Sequence, residues 1–184
     1  YPGVAPVCAK IKEIYEWTGE GYSVLVPAGA WDIMQEGVLL GHCSAREDVN
    51  VYLERIEQET SYIMFLRKND KKDSHWYTME VEPGGNVIQL RTYNDDDGSG
   101  RKGSMYHDRD EAKAALHIWR REIAKRLDQG EITKAQKSRE MLLKHWDGLQ
   151  KNGNIIRGGY LKGSLLVDVL KDDYKELNGE LPKV

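Results

Sequence analysis

The sequence predicts an α+β fold, with a three- or four-stranded antiparallel β-meander packed with helices and a helical C-terminal extension. Two observations carry this. Three consecutive segments, Tyr62–Arg67, His75–Glu82 and Val87–Tyr93, alternate residue character with period two, while the segments around them repeat apolar residues at helical spacing. At 184 residues the chain accommodates one core, read as residues 1–128, with residues 129–184 as an extension packed on it.

Taken in order, Val7–Trp17 places Ile11, Ile14, Tyr15 and Trp17 near helical spacing, and Gly19-Glu20-Gly21 ends that helix. Tyr22–Val26 is a short β-branched run stopped by Pro27, read as an edge strand. Ala28–Leu40 is a helix whose Trp31, Met34 and Val38 form an apolar stripe, and Gly41 ends it in a corner that carries His42 and Cys43. A further helix, Glu47–Glu59, offers Val51, Leu53 and Ile56 for burial. The Glu82-Pro83-Gly84-Gly85-Asn86 connection marks a hairpin between the last two strands. Asn94–Ser104, acidic first, then basic and rich in glycine, reads as a disordered linker. Asp110–Leu127 is the clearest helix, with Asp108 or Asp110 as its cap and Ala112, Leu116, Trp119, Ile123 and Leu127 as a stripe facing the apolar side of the sheet. Thr133–Leu149 is a second, basic helix, and a glycine-rich tail follows it.

The formal net charge of −3 and a pI near 6.0 give no global basic field, so any contact with nucleic acid has to be local. The two cysteines, Cys8 and Cys43, have no CxxC spacing; this suits a reducing cytoplasm, although their spacing also allows a bridge. No apolar run approaches the length of a membrane span, so the protein is expected to be soluble. The start at Tyr1, without an initiator methionine, reads as a fragment or a processed product. The five histidines and two cysteines show no zinc spacing, and Asp95-Asp96-Asp97 lacks the alternation of a calcium loop, so no metal site is expected.

The chemistry gathers on the strands. A meander puts Arg67, Thr78, Glu80, Gln89 and Arg91 on one face together with Ile63, Phe65 and Trp76. If the Glu47–Glu59 helix covers that face, Tyr52 and Arg55 join the group, and a partly buried cluster richer in guanidinium than in carboxylate favours an anionic guest. The alternative is a solvated face with an ordinary Glu80–Arg91 pair. His42, at a helix end, is either an acid or base or a histidine fixed by a backbone carbonyl.

The run Glu36-Gly37, Gly41-His42-Cys43, Tyr52, Arg55, then Ile63 to Arg67, Tyr77 to Val81, Gln89-Leu90-Arg91 and Asn94 resembles the PcfJ-like family, over the stretch from Tyr22 to the helix near Trp119. It departs from the family pattern at Ser44-Ala45, where Val-Gly is the more usual pair, and at Thr92, where glycine is. The resemblance implies a domain carried on conjugative plasmids and other mobile elements. It singles out His42, Arg55, Arg67, Thr78, Glu80, Gln89, Arg91 and Asn94, which largely coincide with the polar face.

Three functions fit these residues. The first is a non-enzymatic domain that binds nucleic acid, or serves relaxosome-type proteins, through the sheet face and the basic helices, with Trp76 and Tyr93 stacking on bases. The second is an enzyme acting on a nucleotide or phosphate-bearing substrate, with His42 and Glu80 as acid and base and the remaining face residues, Tyr52, Arg55, Arg67, Thr78, Gln89, Arg91 and Asn94, holding the ligand. The third is an interaction domain whose polar network serves only the fold. Which cofactor, if any, each of the three would use is not given by the residues.

Overall fold

The computed structural model describes residues 1–40, 49–71, 74–101 and 103–144, and within the helices the side chains of 38–40 and 139–144 are outside the description. Its elements are α1 (Val4–Tyr15), β1 (Trp17–Gly19), β2 (Tyr22–Leu25), α2 (Ala30–Leu40), α3 (Val49–Glu57), β3 (Tyr62–Lys68), β4 (Tyr77–Val81), β5 (Val87–Arg91), α4 (Arg109–Ala124) and α5 (Gln129–Lys144). The strands form a five-stranded antiparallel sheet in the order β1-β2-β3-β4-β5. The α+β class and the meander are therefore as the sequence predicts, with two strands more than the three clear alternations.

The added strand lies where the sequence suggests only a helix stop. Glu20 and Gly21 take φ of 50° and 87°, the left-handed pair of a two-residue hairpin turn, and Trp17 pairs with Val24 across it. Trp17 thus belongs to β1 and not to the first helix, and β2 lies between β1 and β3 instead of at the edge.

Both faces of the sheet are covered. Val24, Leu66 and Tyr77 align across one face, as do Met64, Met79 and Leu90, and all are at most 1% exposed. Helix α4 packs on this face with Ala112, Ala115, Leu116, Trp119 and Ile123, as its periodicity predicts. The contact is aromatic: Tyr15 of α1 touches both Tyr62 (5.7 Å) and Trp119 (6.4 Å), and the Trp119 Nε1 donates to the Tyr15 carbonyl at 2.8 Å. Burial raises the Tyr15 phenol to about 12. Asp108 precedes α4 but its carboxylate does not cap the helix; it accepts from Trp76 Nε1 at 2.7 Å and from the Tyr77 hydroxyl at 2.6 Å. At the far end of α4, Arg126 donates to the carbonyls of Ile14 (3.2 Å) and Glu16 (2.7 Å), where α1 leaves its last carbonyls without helical partners.

The opposite face lies under α2 and α3, and here two apolar stripes differ from expectation. Trp31 is 72% exposed and Met34 is also exposed, while Ile33 and Glu36 point inward; on α3, Val51 is exposed and Val49, Leu53 and Ile56 are buried. Helix α2 turns its carboxylate, and not its largest ring, toward the sheet because that carboxylate meets a buried arginine there.

Helix α5 meets the β4–β5 hairpin. Asn86 Nδ2 donates to the Ala135 carbonyl at 3.0 Å, Ser138 donates to Glu82 at 2.6 Å, and Gly84, at φ 99°, leaves no room for a side chain against Ala135. The Asn94–Ser104 segment is a folded loop and not a disordered linker. Asp96 accepts from the Gly98 amide (2.7 Å), the Ser104 hydroxyl (2.5 Å) and the Met105 amide (2.7 Å), and Arg109 binds the Asp97 carbonyl at 2.7 Å.

Trp119 is fully buried and joins α1, α4 and the sheet, so Trp119→Ala is expected to destabilise the domain by about 3–5 kcal/mol, read as a lowered midpoint in chemical denaturation.

Candidate functional site

The register assembles the polar face in rows. Leu25, Phe65, Thr78 and Arg91 align across four strands, and Ile63, Glu80 and Gln89 form the next row toward the other end of β4. Arg67 pairs with Ser23 one step beyond Phe65. The predicted grouping of Arg67, Thr78, Glu80, Gln89 and Arg91 on one face is therefore present, with Ile63 and Phe65 among them. Trp76 is not part of it: its ring stacks on Tyr22 at 5.8 Å and lies under the Lys68 ammonium.

Two buried carboxylates divide the face. Glu36, from α2, takes both ends of the Arg67 guanidinium, Nη1 to Oε1 at 2.7 Å and Nη2 to Oε2 at 2.6 Å, with side chains only 2% and 6% exposed. His75 adds its Nδ1 to Glu36 Oε2 in a short contact and lies 3.0 Å from Arg67 Nη2. Arg67 also lies over the Phe65 ring at 5.3 Å. All this pairs the Arg67 charge inside the protein, so Arg67 fixes α2 to the sheet.

The second carboxylate is Glu80. Its Oε2 accepts from Arg55 Nη1 of α3 at 2.9 Å and from the Ser61 hydroxyl at 2.6 Å, and its side chain is 1% exposed. Its Oε1 has no hydrogen-bond partner among the described residues, and neither has the buried Thr78 Oγ1 two positions away on the same face. Each such atom costs about 1–3 kcal/mol unless a ligand, water or other group meets it. Around them Arg55, Thr78, Gln89 and Arg91 are half-buried, so the Glu80 carboxylate lies one layer beneath a polar rim that solvent reaches. Tyr52 borders that rim, with the Arg55 guanidinium 5.7 Å from its ring centre.

Of the other predicted residues, Asn94 is exposed at φ 55°, in the short turn that opens the acidic loop, and does not join the face. A cavity of about 350 Å³ beside that loop is lined by Arg91, Asp95, Asp96, Asp97, Gly103 and Ser104. Burial raises the Asp96 pKa, but the hydrogen bonds from Ser104, Met105 and Gly98, with the Arg91 charge, outweigh it and hold the carboxyl below its ordinary value. Tyr93 stacks on Tyr106 at 5.6 Å and donates to the His75 carbonyl, so neither predicted stacking aromatic is turned to a ligand. His42 and Cys43 lie outside the described residues. Cys8 is a free, buried thiol, pushed up to about 11 chiefly by burial and also by Asp32.

Sequence reasoning missed Glu36, Ser61 and His75 as members of the network. Glu36 stands three residues after Ile33, on the same side of α2, and that spacing was the available signal. Nothing local marks Ser61 or His75, which reach the face only through the register of β3 and β4.

The profile of the PcfJ-like protein family matches residues 6–98, half of the chain. The chain belongs to the PcfJ-like family. The matched stretch runs from α1 into the acidic loop, so it holds both buried carboxylates, whereas α4 and α5 lie beyond it. Over 82 residues this PcfJ-like chain is 35% identical to an uncharacterized protein of Listeria innocua, a stretch that is 45% of this chain and 17% of that relative. The chain thus matches only a minor part of the relative's length. No solved structure matches it.

Removing one partner of the deeper pair, by Glu36→Gln or Arg67→Met, is expected to cost about 3–5 kcal/mol, whereas Glu36→Leu combined with Arg67→Met costs less than either alone; chemical denaturation of the three variants checks this. The depressed Asp96 pKa means that its stabilising contribution is present at neutral pH and lost as pH falls through the folded-state value. An NMR titration is expected to place Asp96 below the ordinary value of about 3.9, and Ser104→Ala to raise it.

Proposed function

We propose that this PcfJ-like domain binds nucleic acid, or another phosphate-bearing ligand, at the half-buried rim formed by Arg55, Thr78, Gln89 and Arg91 around Glu80, as a cytoplasmic part of a mobile-element protein. The observation that carries the reading is the pair of buried polar atoms, Glu80 Oε1 and Thr78 Oγ1, that no described residue satisfies. Two further such atoms, Asn86 Oδ1 and Glu131 Oε2, belong to the α5 contact, whereas this pair lies on the polar face beside Gln89 and Arg91. Arg91, directly across from Thr78, brings a guanidinium to the same spot, the group that phosphate oxygens take. The family's association with mobile elements, where nucleic acid is handled and relaxosome-type proteins act, agrees with this.

The binding is confined to one side of the sheet. Helix α4, with its basic residues, packs on the opposite face, so the basic helices and the arginines of the polar face do not form one track. Arg126 is moreover tied to the carbonyls at the end of α1.

A second reading is favoured by the way Glu80 is held: two donors fix Oε2 and leave Oε1 to accept a proton, the arrangement of a general base acting on a nucleotide or phosphate-bearing substrate. Fluorescence anisotropy against single-stranded DNA and RNA over a salt series tests both. Binding is expected to weaken as salt rises, and Arg91→Ala is expected to weaken it roughly tenfold and lower the salt slope by about one. Affinity indifferent to salt and to Arg91→Ala overturns the binding reading. Retained affinity with lost turnover in Glu80→Gln establishes the enzyme instead.

A further inference from the structure

We propose, resting on the ligand reading above, that the group recognised at Glu80 is the amino-bearing edge of an unpaired nucleobase, and that the domain reads base as well as backbone. The chemistry of the open atom decides this. Glu80 Oε1 belongs to a carboxylate already paired with Arg55 through its other oxygen, so it is a hydrogen-bond acceptor only. Phosphate oxygens are also acceptors and carry the same sign of charge, so a bare phosphate leaves Oε1 unsatisfied and is repelled by it. The missing partner is a donor.

The second open atom, Thr78 Oγ1, lies two positions along the same face of β4 and both donates and accepts. A donor for Glu80 placed beside an acceptor for the Thr78 hydroxyl is the pattern of cytosine N4 and N3, of adenine N6 and N1, or of guanine N2 and N3. Thymine presents its single N–H between two carbonyl oxygens, one of which would face the Glu80 carboxylate. Gln89, directly across from Glu80, adds an amide to the same edge, and the Tyr52 ring beside the Arg55 guanidinium borders it with the two kinds of surface on which bases stack. Arg91, directly across from Thr78, is placed for the phosphate that accompanies the base. In a duplex these base edges are already paired, so the ligand is a single strand.

The test is anisotropy at fixed salt with four DNA probes of equal length and label: oligo-dC, oligo-dT, an abasic strand with the same phosphates, and a duplex. Oligo-dC is expected to bind at least tenfold more tightly than oligo-dT, the abasic strand and the duplex. Thr78→Val and Glu80→Gln are expected to erase that preference, read as oligo-dC and oligo-dT binding with equal affinity. Gln89→Leu, in a less buried position, serves if either variant fails to fold by circular dichroism. Equal affinity for oligo-dC and oligo-dT, both above the abasic strand, overturns recognition of the amino edge and leaves stacking. Equal affinity for all three single strands overturns base reading altogether and leaves the phosphate reading intact. No binding of any probe by the folded protein overturns both.

Discussion

A carboxylate or guanidinium that leaves water has to be met inside the protein, and the layout of this domain follows from that requirement on one face of one sheet. Glu36 reaches down from α2 to Arg67, and Arg55 reaches down from α3 to Glu80. Each pair fastens a helix to a strand through charge and direction, which apolar packing alone does not specify. The two differ in kind. The Glu36–Arg67 pair is closed, with every carboxylate oxygen engaged and His75 added at its edge. The Glu80 pair is open, with one oxygen engaged and the other without a hydrogen-bond partner among the described residues.

That difference sets a closed pair beside an open one on a single face. The closed pair resembles the buried ion pairs that hold a register: costly to break and neutral in net charge. The open carboxylate is surrounded by half-buried donors whose exposure allows exchange with solvent. The apolar face is held mainly by rings. Its Tyr62–Tyr15–Trp119 chain of rings joins α1, β3 and α4 into one core, and the cost of burying the indole N–H is offset by the Tyr15 carbonyl. The rigid side of the sheet thus backs the side on which polar groups are left open.

The acidic loop gives a further example of charge settled internally. Composition alone makes Asn94–Ser104 a candidate for disorder, yet Asp96 collects two amides and a hydroxyl and so shapes the turn around itself. The loop then lies beside Arg91, at the end of the strand that carries the candidate site.

The sequence by itself determined the alternation of β3, β4 and β5, and hence that Thr78, Glu80, Gln89 and Arg91 share a face, because strand periodicity is a local property. It also determined the stripe of α4, where small and apolar residues leave no other side to bury. Only the tertiary structure decided which side of α2 turns inward. Helix periodicity ranks Trp31 and Met34 above Glu36 by hydrophobicity, but burial is set by the partner on the other layer, and that partner is Arg67, thirty-one positions away. The same holds for Ser61 and Arg55 meeting Glu80, and for β1, whose pairing rests on two left-handed residues at Glu20 and Gly21. Which charges are closed and which remain open depends on contacts between segments distant in the chain, and local pattern does not carry that information.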